Sequence, residues 1–263
     1  MTRKLRMLRE IVIAIQSYFA AHAFIKKHSL WRWIIVPGCV YAILFAISMY
    51  FFSRSVNAAI EWLTIETGLQ VWINKLQNSW IGFLFTVGGI MFWLIMMLFY
   101  FSFFKYIWLI LGSPVFSYLS ERTASIIEGK EFDFRLKQYL ADVARGIKMA
   151  VRNTLWQAVY LFSILLLSLV PFIGWIAPFI ALLIECYYYG FSMLDYTCER
   201  NKMNVLKSID FIGRHRGLAI GNGMVFYTMH CIPLLGWVLA PAYAVIAATI
   251  SLQENKDEFM REL

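Results

Sequence analysis

The chain has 263 residues, 60% of them hydrophobic and 15% charged, with a formal net charge of +8. A soluble domain carries about 25% charged residues, so a water-facing globule is excluded. The positive balance would indicate nucleic acid only as a stripe on a soluble face; here the basic residues flank apolar segments, which excludes that partner and points to anionic lipid headgroups.

In chain order, Met1–Arg9 is basic with no small-residue cleavage site behind a short apolar core, so no removable signal peptide is expected. Glu10–Phe24 is moderately apolar but carries Gln16, Ser17 and His22, and reads as a short interfacial helix. Lys26-Lys27-His28-Ser29-Leu30-Trp31-Arg32 then stands at the mouth of the first span, Trp33–Phe52. Ser29 is placed to cap that span, leaving backbone N–H groups at the positive end of the helix dipole. Arg32 adds a guanidinium suited to an oxyanion, with Lys26 and Lys27 beside it. Ser29, Leu30, Trp31 and Arg32 are therefore a candidate anion site. The alternative is a basic flank with an aromatic belt, Trp31 and Trp33, that anchors the helix to headgroups.

Arg54–Ser79 mixes Glu61, Glu66 and Lys75 with apolar residues and fits a helix running past the membrane surface. Trp80–Leu111 is a second, overlong apolar run interrupted only by Lys105. Ser113-Pro114 predicts a fresh helix start, with Ser as cap and Pro in the first turn, ending near Gly129. Asp133 opens a basic amphipathic helix. In it, Leu136, Leu140, Val143 and Ile147 recur at helical spacing among Arg135, Lys137, Arg145, Lys148 and Arg152.

The last hundred residues contain an internal repeat. An apolar arm, Leu155–Val170, precedes Pro171-Phe-Ile-Gly174-Trp175 with Pro178 beyond; a second, Leu218–Ile232, precedes Pro233-Leu-Leu-Gly236-Trp237 with Pro241 beyond. Pro171, Gly174, Pro233 and Gly236 mark two hairpin tips. Each first arm reaches only about 23 Å as a helix, marginal for a hydrocarbon core of about 30 Å. Short, Gly/Pro-interrupted apolar segments in corresponding positions point to a transport site; ordinary two-span hairpins are the alternative.

Lys105 and Glu185 lie within apolar runs, where a charge usually meets a partner or a cavity, so they either pair across helices or line a polar path. Asp195, near Tyr196 and Arg200, reads as an interfacial ion pair. His230 reads as a satisfied buried imidazole, and Gly213, Gly217, Gly221 and Gly223 as sites of close helix packing. Cys39, Cys186, Cys198 and Cys231 show no CxxC spacing and read as small, buried, reduced side chains. No nucleotide loop, nucleophile elbow or zinc-protease motif occurs, and His22, His28, His215 and His230 have no metal-ligand spacing. The chain is read as no enzyme, with no cofactor and no metal. Lys and Arg number seven in residues 1–33, two in 53–79, seven in 112–154 and five in 198–217. The positive-inside rule then puts both termini and the loops 112–154 and 198–217 in the cytoplasm.

The chain resembles the CysZ-type sulfate permeases and the related etoposide-induced membrane proteins, through several stretches in the right order. Lys26–Arg32 stands in the place of that family's basic Gly-Leu-Arg segment. Leu111–Glu121 resembles its small-Pro-aromatic stretch, and Leu194-Asp-Tyr196 with Arg200-Asn201 its Asp-Tyr and basic loop. Pro171–Pro178 and Pro233–Pro241 resemble its hairpin tips. The resemblance implies two long transmembrane helices plus hairpins that enter the bilayer without fully crossing, assembled as a homo-oligomer. It also implies a sulfate site of backbone N–H groups and arginines, carried over to Ser29, Leu30, Trp31 and Arg32. Here Ser29 replaces the glycine and Trp31 the first arginine.

The expectation is an all-α integral membrane protein of one domain in the inner membrane. Its parts are an interfacial N-terminal helix (1–32), two spans (33–111), cytoplasmic amphipathic helices (112–154), hairpin 1 (155–196), a basic loop (197–217), hairpin 2 (218–252) and a tail (253–263). Its expected function is sulfate or related oxyanion transport; the alternative is a non-transporting membrane scaffold or lipid-binding protein of the same fold. The expected partners are membrane lipids, the oxyanion and further copies of the chain.

Overall fold

The computed structural model describes residues 3–66, 80–130, 136–168, 173–255 and 259. Every regular element among them is an α-helix. In order they are α1 (Arg3–Lys27), α2 (Trp31–Glu66), α3 (Trp80–Ile127), α4 (Leu136–Ser168), α5 (Ile173–Arg200), α6 (Val205–Arg214), α7 (Arg216–His230) and α8 (Leu235–Glu254). Among the described residues, five segments are long and apolar enough to cross a membrane: Leu5–Lys27, Trp31–Ala58, Leu136–Ser168, Gly174–Arg200 and Leu235–Glu254. The protein is an all-α, multi-pass membrane protein.

Several elements run longer than the sequence reading has them. The short interfacial helix is a 25-residue α1, because no Gly or Pro interrupts residues 3–27. The expected helix start at Ser113-Pro114 is absent; α3 continues through Pro114 to Ile127. Packing on α4 holds this stretch of α3 in place. Here the Tyr139 hydroxyl donates to the Pro114 carbonyl at 2.9 Å, and Ser113 Oγ donates to the Val143 carbonyl at 3.3 Å. The basic amphipathic helix and the first hairpin arm are likewise one 33-residue helix, α4. Gly129 does terminate α3, at φ +64°, in the left-handed region where a glycine has no steric penalty. The segment read as a basic loop contains α6, capped by the Asn204 side chain accepting from Lys207 N at 2.8 Å. Residues 67–79 and 133–135 of the expected helices lie outside the described ones.

The bundle closes around α8, which packs against α1, α2, α3, α5 and α7. From Ala240 to Gln253 it is buried on every side, as an apolar helix must be at the centre of a bundle. Small residues let backbones approach. A Cβ at Gly190 would strike the Ala219 carbonyl, one at Gly223 the Cys186 carbonyl, and one at Gly221 the Ala14 methyl, so α5, α7 and α1 meet at backbone distance. Gly217 sits against Met7 and Glu10 in the same way, whereas Gly213 has open space. Cys186 and Cys198 are buried, but Cys39, on the outer face of α2, and Cys231, at the C-terminal cap of α7, are exposed rather than in the core.

Candidate functional site

The turn between α1 and α2 is built by hydrogen bonds that end the first helix. His28 N donates to the Phe24 carbonyl at 3.0 Å and Leu30 N to the Ile25 carbonyl at 3.2 Å, while Ser29 holds φ +54°. This is a Schellman-type close, with Ser29 in the left-handed position and the buried pair Leu30 and Ile25 as its apolar contact. Ser29 therefore caps the end of α1 rather than the start of α2. The placement still leaves the opening turn of α2 facing outward next to Lys26, Lys27 and Arg32, all exposed. None of the three has an ion pair among the described residues. Leu30 offers only its backbone, since its side chain is 4% exposed, and Trp31 is half-buried with its ring 6.4 Å from His22.

Glu185 is completely buried between α4, α5 and α7. It accepts from the Gln157 side-chain amide and from the Tyr227 hydroxyl, the latter at 2.5 Å. The backbone of Lys105 lies in α3, and its side chain is outside the described residues. Of the first tip, Pro171 is outside the described residues and Gly174 packs on the Ser168 carbonyl. At the second tip Leu234 takes φ +63° beside exposed Pro233, and Gly236 N donates to the Ile232 carbonyl at 3.0 Å. Trp237 Nε1 then donates to the His230 carbonyl at 3.0 Å, and His230 Nε2 meets the Tyr41 hydroxyl at 2.7 Å. His230 is thus a partnered imidazole within an aromatic core that includes Phe45 and Phe226.

Sequence reasoning missed the largest polar assembly. Arg145 of α4 donates to Asp195 Oδ1 at 2.9 Å, to Ser208 Oγ at 2.6 Å and to the Met203 carbonyl, with Glu199 at 3.7 Å. Arg200 pairs with Asp142 and, at 3.4 Å, with Glu121. Asp195 therefore does form an ion pair, with Arg145 rather than the nearby Arg200. Two guanidiniums and four carboxylates tie α3, α4, α5 and α6 together. The readable signal is spacing: Asp142 and Arg145, or Asp195 and Glu199, recur on one face at three or four residues. A second buried node lies at the same end of the bundle, where α1 meets the start of α7. Glu10, 3% exposed, accepts from His215 Nδ1 at 2.8 Å and from Gly217 N at 3.0 Å. It thereby supplies a carboxylate to the N-terminus of α7, where the dipole favours one.

Residues 17–241 match the family described as Sulfate transporter CysZ/Etoposide-induced protein 2.4. The chain belongs to that family. The match takes in the α1–α2 turn, both hairpin tips and the whole Arg145–Arg200 assembly, and leaves Glu10 outside. A curated relative, the "Sulfate transporter CysZ" of Pseudomonas fluorescens, is 24% identical over 143 residues. That alignment covers 54% of this chain and 57% of the relative, so the chain spans little more than half the length of that protein.

Proposed function

We propose that the protein carries sulfate or a related oxyanion across the inner membrane, with capture at Ser29, Leu30, Trp31 and Arg32. The observation that supports this most is the unpaired cationic turn. Lys26, Lys27 and Arg32 stand exposed around the start of α2, without the carboxylates that occupy Arg145 and Arg200. An oxyanion there would meet the positive end of a 36-residue helix and one fork of guanidinium donors. The tips at Pro171, Gly174, Pro233 and Gly236 flank the permeation path in this reading, and Lys105 and Glu185 are its buried polar elements. Both termini face the cytoplasm and the chain works as a homo-oligomer. The relative's name, sulfate transporter, agrees in substrate class.

The second reading is a non-transporting scaffold or lipid-binding protein. It is favoured by Glu185, whose carboxylate is sealed off by Gln157 and Tyr227 rather than facing a channel. Sulfate flux into proteoliposomes separates the two. Uptake by the wild type above empty vesicles, falling about tenfold in Arg32→Ala on loss of a charge-assisted donor, is the expected result. Flux unchanged by Arg32→Ala removes the capture site, and flux at the level of empty vesicles favours the scaffold.

A further inference from the structure

A groove of about 380 Å³ opens on the outside of the bundle between α4, α5 and α7. Its two ends differ in chemistry. Toward the hairpin tip the wall is apolar, with Ile180 and Leu183 exposed on α5. Toward the other end it is lined by Tyr160, Tyr187, Tyr188 and Arg216. Arg152 joins that end: its guanidinium lies 5.7 Å from the ring centre of Phe191, one turn beyond Tyr187 on α5. Phe191 in turn meets the Tyr187 ring edge-on, with 5.9 Å between centres. Arg152 bonds only the neighbouring Asn153 side chain, at 3.0 Å, and Arg216 the Gly213 carbonyl, at 2.9 Å. Among the described residues neither makes an ion pair with a carboxylate, in contrast to Arg145 and Arg200.

We propose that this groove binds one anionic glycerophospholipid, its phosphate held between Arg152 and Arg216 and an acyl chain laid along Ile180 and Leu183. The charge is complementary, and the polarity runs in the right order. Ile180 and Phe191 are 11 positions apart, about 16 Å along a helix, so the cations and the apolar floor are separated by the length of a lipid tail segment. Tyr187 and Tyr188 line the groove between them in sequence along α5, and amphipathic aromatic side chains favour the boundary between headgroup and acyl chain. A free oxyanion would use the arginines and leave the apolar half of the groove without an occupant. The groove is distinct from the α1–α2 turn, so its occupancy does not depend on the transport reading.

Native mass spectrometry tests the proposal on full-length protein taken from vesicles of equal phosphatidylglycerol and phosphatidylcholine. The wild type is expected to carry phosphatidylglycerol several-fold in excess. Arg216→Gln, at an exposed position that leaves the fold intact, is expected to lose most of that excess, and Leu183→Trp to lower retention of both lipids. Equal carriage of the two lipids by the wild type, or an excess untouched by Arg216→Gln, overturns the proposal. Displacement of the lipid by excess inorganic sulfate also overturns it, by assigning the arginines to a free anion. A changed oligomeric state in Leu183→Trp with lipid retention intact gives the groove to a second copy of the chain instead.

Discussion

Arg145 and Arg32 are the same residue type under opposite electrostatic conditions. Arg145 is 14% exposed and engaged by two carboxylates, a hydroxyl and a carbonyl; Arg32 is exposed and unpaired among the described residues. A buried arginine can be kept only when its charge is matched, because desolvation costs several kcal/mol per ion. Once matched, its charge is committed to the protein's own carboxylates. The assembly at Arg145 therefore acts as a strut joining α3, α4, α5 and α6, while the α1–α2 turn keeps its charge available at the surface. Net positive charge says little about anion handling until one knows which cations are already taken.

The comparison breaks most sharply on removal of the strut. Arg145→Ala leaves Asp195, 2% exposed, and Glu199 without their countercharge, an expected loss of about 3–5 kcal/mol. Thermal unfolding in detergent should show a much lower midpoint or no folded fraction. Arg145→Lys should recover only part of this, since one ammonium cannot span the same set of partners. A stable, monodisperse Arg145→Ala protein would mean the assembly is not structural. At the node formed by Glu10, Glu10→Gln keeps the shape but removes the charge facing His215 and Gly217 N; a loss of about 1–2 kcal/mol is expected. The smallest effect has the opposite sign. Ser29 sits at φ +54°, where a side chain costs roughly 1–2 kcal/mol, so Ser29→Gly should raise the unfolding midpoint by a few degrees. A midpoint that falls would show that the serine hydroxyl contributes more than the backbone strain removes.

The membrane class was readable because apolar runs are long and need no partner to be recognised. The second hairpin was readable too, since Pro233 and Gly236 punctuate the chain and α7 is a 15-residue helix. Helix boundaries were less so at Ser113-Pro114 and between residues 152 and 155. Local rules place a start or a break there, but packing of α3 on α4 carries the helices through. The candidate turn was located by its basic residues, yet the role of Ser29 was misassigned. Seryl caps at helix starts are common, whereas a serine in the left-handed position is visible only in its φ. The ionic assembly could not be read at all as a unit. Arg145 and Asp195 are 50 residues apart, and the sequence carries no mark of which carboxylate faces which arginine.

The position of α8 has a consequence for how the molecule is made. Among the described residues it is wrapped by five other helices, yet it follows every one of them in the chain. During synthesis those five helices are made before the residues that fill their centre, and domains generally fold as units as the chain emerges. Gly38, Thr197 and Asn222 meet Val238, Thr249 and Ala244 only once α8 has been added. A ribosome that stalls before Leu235 therefore leaves those five helices without the element they pack around.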